Sequence, residues 1–162
     1  MRHPRPIAPG DSIEDFDCGN EDLNQWLLTR AVANEASGAS RTYIIIDTQK
    51  VIGYYALMAG SIANATAPGN VRRNMPDPIP VAILGRLAVA TSHQNDGLGT
   101  ELLHDAIKRT LWAADTLGIR ALLIHAASER ARTFYERHGF QRSAVDDMTL
   151  MATLQTLRNT FG

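Results

Sequence analysis

In "HQNDGLGTEL", residues 93–102, Gly97 and Gly99 stand between an apolar run and a helical pattern, and further on Tyr135 sits on a second, shorter helical pattern. A glycine turn that feeds a helix leaves backbone N–H groups without intrahelical acceptors. Those donors, together with the helix dipole, hold a pyrophosphate without any side-chain charge. A Walker loop is excluded, because Thr100 rather than lysine follows Gly99. The dinucleotide fingerprint fails as well, since Leu102 occupies the place of its third glycine and no strand-terminal acid follows at the right distance. Spacing alone leaves the owner of the pyrophosphate open. A phenol with a pKa near 10 is protonated at neutral pH, so Tyr135 can serve as a proton donor.

The elements that must position these groups are legible from periodicity. Leu23, Trp26, Leu27 and Ala31 recur at helical spacing from the candidate cap Asn20 until Gly38, which predicts one amphipathic helix. "RTYIIID" (41–47) and "VIGYYALMAG" (51–60) are β-branched and aromatic runs around a short polar stretch, an antiparallel hairpin expected in mid-sheet. Residues 67–80 hold four prolines and are expected as a loop. "VAILGRLAV" (81–89) is a nearly continuous apolar strand leading into the glycine turn. The next helix shows Leu98, Leu102, Ala106, Thr110, Ala113 and Leu117 on one face, with Gly118 at its C-terminal cap. "RALLIHA" (120–126) is a buried strand; Ser128 and Glu129 start a short helix through Tyr135 to His138, closed by Gly139 and Phe140; and "MTLMATL" (148–154) is a last strand. The order β-helix-β-β-loop-β-helix-β-helix-β predicts an α/β (α+β) fold, a mixed central sheet flanked by helices on both faces.

Composition bounds the function. The chain has 162 residues, 44% of them hydrophobic, which suits a single domain over 1–162. Net charge is −1, so the whole molecule offers no electrostatic pull toward nucleic acid. The acids nevertheless concentrate before residue 36, and the remainder, which holds the glycine turn, carries thirteen bases against ten acids. Lys50 and Lys108 are the only lysines, so the basic side chains are mostly arginine forks that match phosphate. Cys18 is alone, which fits a reducing cytoplasm. No apolar stretch reaches the roughly 20 residues of a membrane span, and Pro4, Pro6 and Pro9 interrupt any secretory signal. His3, His93, His104, His125 and His138 lack metal-ligand spacing, so no metal is expected. Trp26 and Trp112 lie on helical patterns as core or interface residues.

Read as Gln-x-x-Gly-x-Gly, Gln94 to Gly99 resembles the acetyl-coenzyme A signature of the GNAT-superfamily N-acetyltransferases, and "SERARTFYERHGF" resembles that superfamily's aromatic-rich helix with its closing Gly-Phe. "GASRTYII", "VRRNMPDPIPVAILGRLAV" and "FYERHGF" extend the likeness, over essentially the whole chain, to the TacT and AtaT group of acetyltransferase toxins. The resemblance implies a GNAT fold, with six to seven strands in the sheet and strands four and five splayed, and acetyl-CoA as cosubstrate. It implies cofactor contacts at Leu87, Ala88, Val89, Gln94, Asn95, Asp96, Gly97, Leu98, Gly99, Thr100, Ser128 and Phe134, and Tyr135 as the catalytic acid toward the coenzyme A sulfur. It further implies acetylation of the α-amino group of aminoacyl-tRNA, which blocks translation, and neutralisation by a ribbon-helix-helix antitoxin. Operator DNA would be reached only through the antitoxin complex, and the toxin would form a homodimer.

Elementary chemistry bears on these implications. An α-amino group titrates at about 8 even before an adjacent ester lowers it further, so much of an aminoacyl-tRNA is already neutral at cellular pH, whereas a lysine at about 10.4 needs a base. No carboxylate is uniquely placed as that base, although Glu35 and His125 are candidates. The thioester carbonyl can be polarised by main-chain N–H near Leu87 to Val89. RNA must be held by charge and shape, for which Arg72 and Arg73 lead, followed by Arg86, Arg41 and Arg30. Asp96 departs from the neutral or basic residue common at its place in the family, and its carboxylate is expected to turn to solvent. Two alternatives remain: a GNAT enzyme for a small amine or protein N-terminus, and a non-catalytic acyl-CoA-binding corepressor.

Overall fold

The computed structural model describes residues 3–161, so both ends of the expected 1–162 domain lie outside the described residues. Seven strands form one mixed sheet in the order β1-β2-β3-β4-β5-β7-β6. By contacts the chain divides into two compact units, one comprising the residues up to Met58 with Gly85–Ala106, the other Ala59–Leu84 with the residues from Ile107 onward.

In the first unit, β1 (Arg5–Pro6) pairs antiparallel with β2 (Arg41–Asp47), which forms a hairpin with β3 (Lys50–Ile62). Thr48 and Gln49 turn the hairpin with φ of 51° and 66°, the left-handed pair whose twist matches that of the strands. Side chains of β3 alternate: Tyr55 donates to Asp105 at 2.5 Å, while Tyr54 donates to the Leu23 carbonyl at 2.7 Å. The helix expected from Asn20 to Gly38 is two helices, α1 (Glu21–Thr29) and α2 (Ala31–Ser37). Asn20 caps the first by accepting from Leu23 N, and Gly38, at φ 84°, ends the second. The break falls at Arg30, which leaves helical geometry at φ −121°. Beside it the Thr29 hydroxyl donates back to the Gln25 carbonyl at 2.7 Å, a bond of the kind that bends helices. Leu27 and Ala31 stay buried on both sides of the break, so the apolar stripe persists although the axis does not.

The second unit is built on parallel pairing of β4 (Ile79–Val89) with β5 (Ala121–His125), from Val81↔Ala121 to Leu84↔Ile124. Next to β5 runs antiparallel β7 (Thr149–Thr153), and β6 (Gln141–Arg142) closes that side. The proline-rich stretch is not a plain loop. Gly69–Arg72 form one helical turn, α3, with Pro68 at its N-cap, and β4 starts at Ile79, two residues earlier than its apolar run suggests. Pro68 suits an N-cap because the missing N–H would find no helical acceptor there, and Pro80 sits near the start of β4, a position where strands tolerate proline. Val71, Ile79, Val81, Ala121, Leu123 and Met151 share a buried cluster. Arg120 fastens α3 to it by donating to the carbonyls of Val71 at 2.9 Å and Asn70 at 2.8 Å.

α4 spans Leu98–Ala114, with Leu98, Leu102, Leu103, Ala106, Ile107 and Thr110 buried. It stops before the expected Leu117 and Gly118: Leu117 is 62% exposed and gains no packing, and Gly118 is not among the left-handed glycines. α5 covers Glu129–Arg137, and α6 (Leu154–Phe161) follows β7, where a strand was expected to reach Leu154.

Candidate active site

The glycine turn grows from the end of β4 and is braced from two directions. Ala90 N donates to Ile52 O and Thr91 N to Asp17 O, both at 2.8 Å. The Gln94 side-chain amide donates to Cys18 O at 3.1 Å and Val89 O at 3.0 Å, so this side chain shapes the turn. His93 Nε2 lies 2.9 Å from Asp47 Oδ2, and Ser92 Oγ lies 2.7 Å from His93 Nδ1.

Asn95 and Gly97 both take positive φ, 70° and 81°. A Cβ on Gly97 would meet nothing within 4 Å, so conformation rather than crowding demands glycine and the turn faces open space. Glu101 N donates to Gly97 O as the first intrahelical bond of α4. The N–H groups of Leu98, Gly99 and Thr100 precede that bond and have no intrahelical acceptor among the described residues, and the buried Leu98 side chain anchors them. Asp96 is exposed. Close approach of α4 to β3 depends on Gly53, where a Cβ would lie 3.1 Å from Leu102 Cδ1 and 3.4 Å from Ala88 O.

In the other unit, α5 is defined at both ends by local signals. Ser128 Oγ accepts from Ala131 N at 3.1 Å. Gly139, at φ 92°, donates to Glu136 O and Phe140 N to Tyr135 O, a Schellman closure. The apolar contact that accompanies this motif is Tyr135 edge-on to Phe140 at 6.3 Å, with half-buried Phe134 on Tyr135 at 5.3 Å. Tyr135 is 4% exposed, and its hydroxyl finds no hydrogen-bond partner among the described residues. Burial pushes the phenol well above its ordinary value, which keeps it protonated and able to donate.

The candidate bases are both engaged. Glu35 accepts from Arg41 Nη1 at 2.6 Å and from Thr42 N at 3.0 Å. His125, exposed at the end of β5, has Nδ1 3.2 Å from Thr149 Oγ1. Of the arginines, Arg72 and Arg73 are exposed on and beside α3, and Arg30 is exposed at the α1–α2 break. Arg41 is held by Glu35. Arg86 lies over the Trp26 ring, 4.6 Å from its centroid. Trp26 stacks on Tyr54, whereas Trp112 is 58% exposed. Among the described residues no group of three His, Cys, Asp or Glu could hold a metal ion, and no helix is long and apolar enough to cross a membrane. Leu87–Thr100 with Arg30, Arg41 and Arg86 thus belong to the first unit, and Arg72, Arg73, Ser128, Phe134 and Tyr135 to the second. The braces at Asp17, Cys18 and Asp47 carry no local sequence signal.

Residues 38–142 match the acetyltransferase (GNAT) domain. The chain is 45% identical over 159 residues to the tRNA-acetylating toxin of Mycobacterium tuberculosis, covering 98% of this chain and 96% of that one. Among solved structures, AtaT complexed with acetyl-methionyl-tRNAfMet superposes with TM-score 0.90 at 28% identity, over the full length of both chains. A mutant AtaT bound to the antitoxin AtaR C-terminus and acetyl-CoA gives TM-score 0.84 at 27% identity, over 99% of this chain and 98% of the other. With a matched domain over most of its length and these likenesses across its whole extent, the chain belongs to the GNAT acetyltransferase family.

Proposed function

We propose that this protein is a toxin that transfers acetyl from acetyl-CoA to the α-amino group of aminoacyl-tRNA and so blocks translation. The reading is supported by a braced helix N-terminus in one unit, by a buried, protonated phenol in the other, and by the likeness of the chain to a tRNA-acetylating toxin. One acetyltransferase domain over the whole chain is part of the proposal.

The site residues divide the work. Backbone N–H groups from Asn95 to Thr100 hold the pyrophosphate, with Gln94 fixing the turn and Asp96 facing solvent. Main chain at Leu87, Ala88 and Val89 binds the pantetheine arm and polarises the thioester carbonyl. Ser128, at the N-cap of α5, and Phe134 on its body are assigned to contacts with the coenzyme. The neutral α-amine forms the new N–C bond as the C–S bond breaks, its surplus proton passing to water, while Tyr135 O–H protonates the departing thiolate and is reprotonated from solvent. An α-amine that titrates at about 8, and lower beside its ester, needs no strong base, which agrees with Glu35 being held by Arg41.

Arg72 and Arg73 supply exposed positive charge to the RNA, with Arg30 and Arg41 as outlying contacts. A ribbon-helix-helix antitoxin as inhibitor, operator DNA reached only through it, a homodimer and a cytoplasmic setting complete the reading. A cell-free translation reaction tests it. Output should fall only when protein and acetyl-CoA are both added; translation that proceeds unchanged while free amines are acetylated would move the function to a small amine.

A further inference from the structure

Arg86 is half-buried, yet among the described residues its guanidinium makes no hydrogen bond and no ion pair. Its contact is the Trp26 ring, 4.6 Å from the guanidinium carbon, and Trp26 lies parallel to Tyr54 with an interplanar angle of 7°. Tyr54 is fixed in turn by its hydroxyl on Leu23 O and by Phe16 against its edge. The stack holds the guanidinium against the indole ring and gives it no acceptor. A charge partly withdrawn from water, held over an aromatic ring with its N–H fork unused, is set for an anion supplied from outside.

The place on the strand identifies the anion. Arg86 shares with Tyr54 the face covered by α1, whereas Tyr55 and the Cβ direction of Gly53 meet α4 at Asp105 and Leu102. The pyrophosphate turn is the N-terminus of α4. Arg86 also precedes Val89 by three residues, about 10 Å along a strand. It therefore lies too far away, and on the wrong face, to share the pyrophosphate's N–H donors. A half-exposed indole beside a fixed guanidinium offers a phosphate a fork and a nucleobase a stacking surface, the combination that single-stranded RNA ends use.

Building on the proposed RNA substrate, we propose that Arg86 anchors a phosphodiester at the single-stranded acceptor end, and that Trp26 is the positioning residue that orients it. The test measures binding of uncharged tRNA, binding of acetyl-CoA, and acetylation of charged tRNA by the full chain. Arg86→Ala should weaken tRNA binding and raise KM for charged tRNA by about tenfold. It should leave kcat and acetyl-CoA affinity within about twofold, and flatten the salt dependence of tRNA binding by about one phosphate contact. Arg86→Lys should keep the salt slope without recovering the affinity, because the charge remains and the fork is lost. Trp26→Phe should retain most of the affinity and Trp26→Ala should lose it; if the alanine variant fails to fold, the two Arg86 variants still decide the matter. Unchanged tRNA binding by Arg86→Ala, or an equal loss of acetyl-CoA affinity, overturns the proposal. Failure of the function itself would show differently, as wild-type protein that acetylates no charged tRNA.

Discussion

His93 Nε2 stands 2.9 Å from Asp47 Oδ2, a bond that joins residues 46 positions apart and ties the base of the glycine turn to the tip of the β2–β3 hairpin. The turn is thus held from outside its own sequence. Asp47→Asn should weaken acetyl-CoA binding by about three- to tenfold, while shifting stability by less than about 1 kcal/mol for a pair still partly exposed to solvent. Calorimetric titration with acetyl-CoA, alongside thermal melting, checks both; an affinity unchanged in Asp47→Asn would remove this brace from the account.

Gln94→Ala deletes the amide that joins the Cys18 and Val89 carbonyls. Two severed bonds near the surface should lower stability by about 1 kcal/mol and reduce acetyl-CoA affinity further than that loss alone explains. Denaturant unfolding with and without acetyl-CoA separates the two effects.

Gly97→Ala meets no steric obstacle but must hold φ near 81°. The strain should cost about 1 kcal/mol, and relaxation of the turn would scatter the N–H donors that follow. We expect weaker acetyl-CoA binding with the rest of the fold kept, read from the same titration and from circular dichroism.

Tyr135→Phe should keep the fold, since the ring and its contacts with Phe134 and Phe140 survive. Loss of the proton donor should lower kcat by about a hundredfold or more and leave acetyl-CoA affinity nearly unchanged. Steady-state kinetics on charged tRNA, paired with a binding titration, tests this.

The same residue makes a prediction in pH. Burial raises the Tyr135 phenol above its unfolded value, so the unfolded chain loses that proton first as pH rises. The stabilisation is complete below about pH 10 and declines as pH climbs above it. Tyr54, raised by burial in the same way, adds to the slope. Denaturation curves at pH 8 and 11 should therefore diverge more for wild type than for Tyr135→Phe.

Legibility in the sequence followed locality. α5 is announced at both ends by its own residues, Ser128 as cap and Gly139–Phe140 as closure, and the structure makes both sets of bonds. The β2–β3 hairpin was equally clear from its alternating β-branched runs, and the mixed seven-stranded sheet falls within the expected size. The break at Arg30 was not legible, because Leu27 and Ala31 stay in phase across it. The apolar run through Leu154 hides α6, although Thr153 signals it: its hydroxyl oxygen accepts from Thr156 N at 3.1 Å while its backbone still ends β7. The braces that shape the glycine turn could not be read at all, since the Cys18 carbonyl reaches Gln94 from 76 positions away and Asp47 reaches His93 only once the hairpin has formed.

The most direct measurement digests charged tRNA with nuclease after incubation with the protein and acetyl-CoA, then weighs the released aminoacyl-adenosine by mass spectrometry. The account predicts one added acetyl on the α-nitrogen with wild-type protein and almost none with Tyr135→Phe. Unmodified aminoacyl-adenosine from every charged tRNA, in a reaction where acetyl-CoA is nonetheless consumed on other amines, would contradict it.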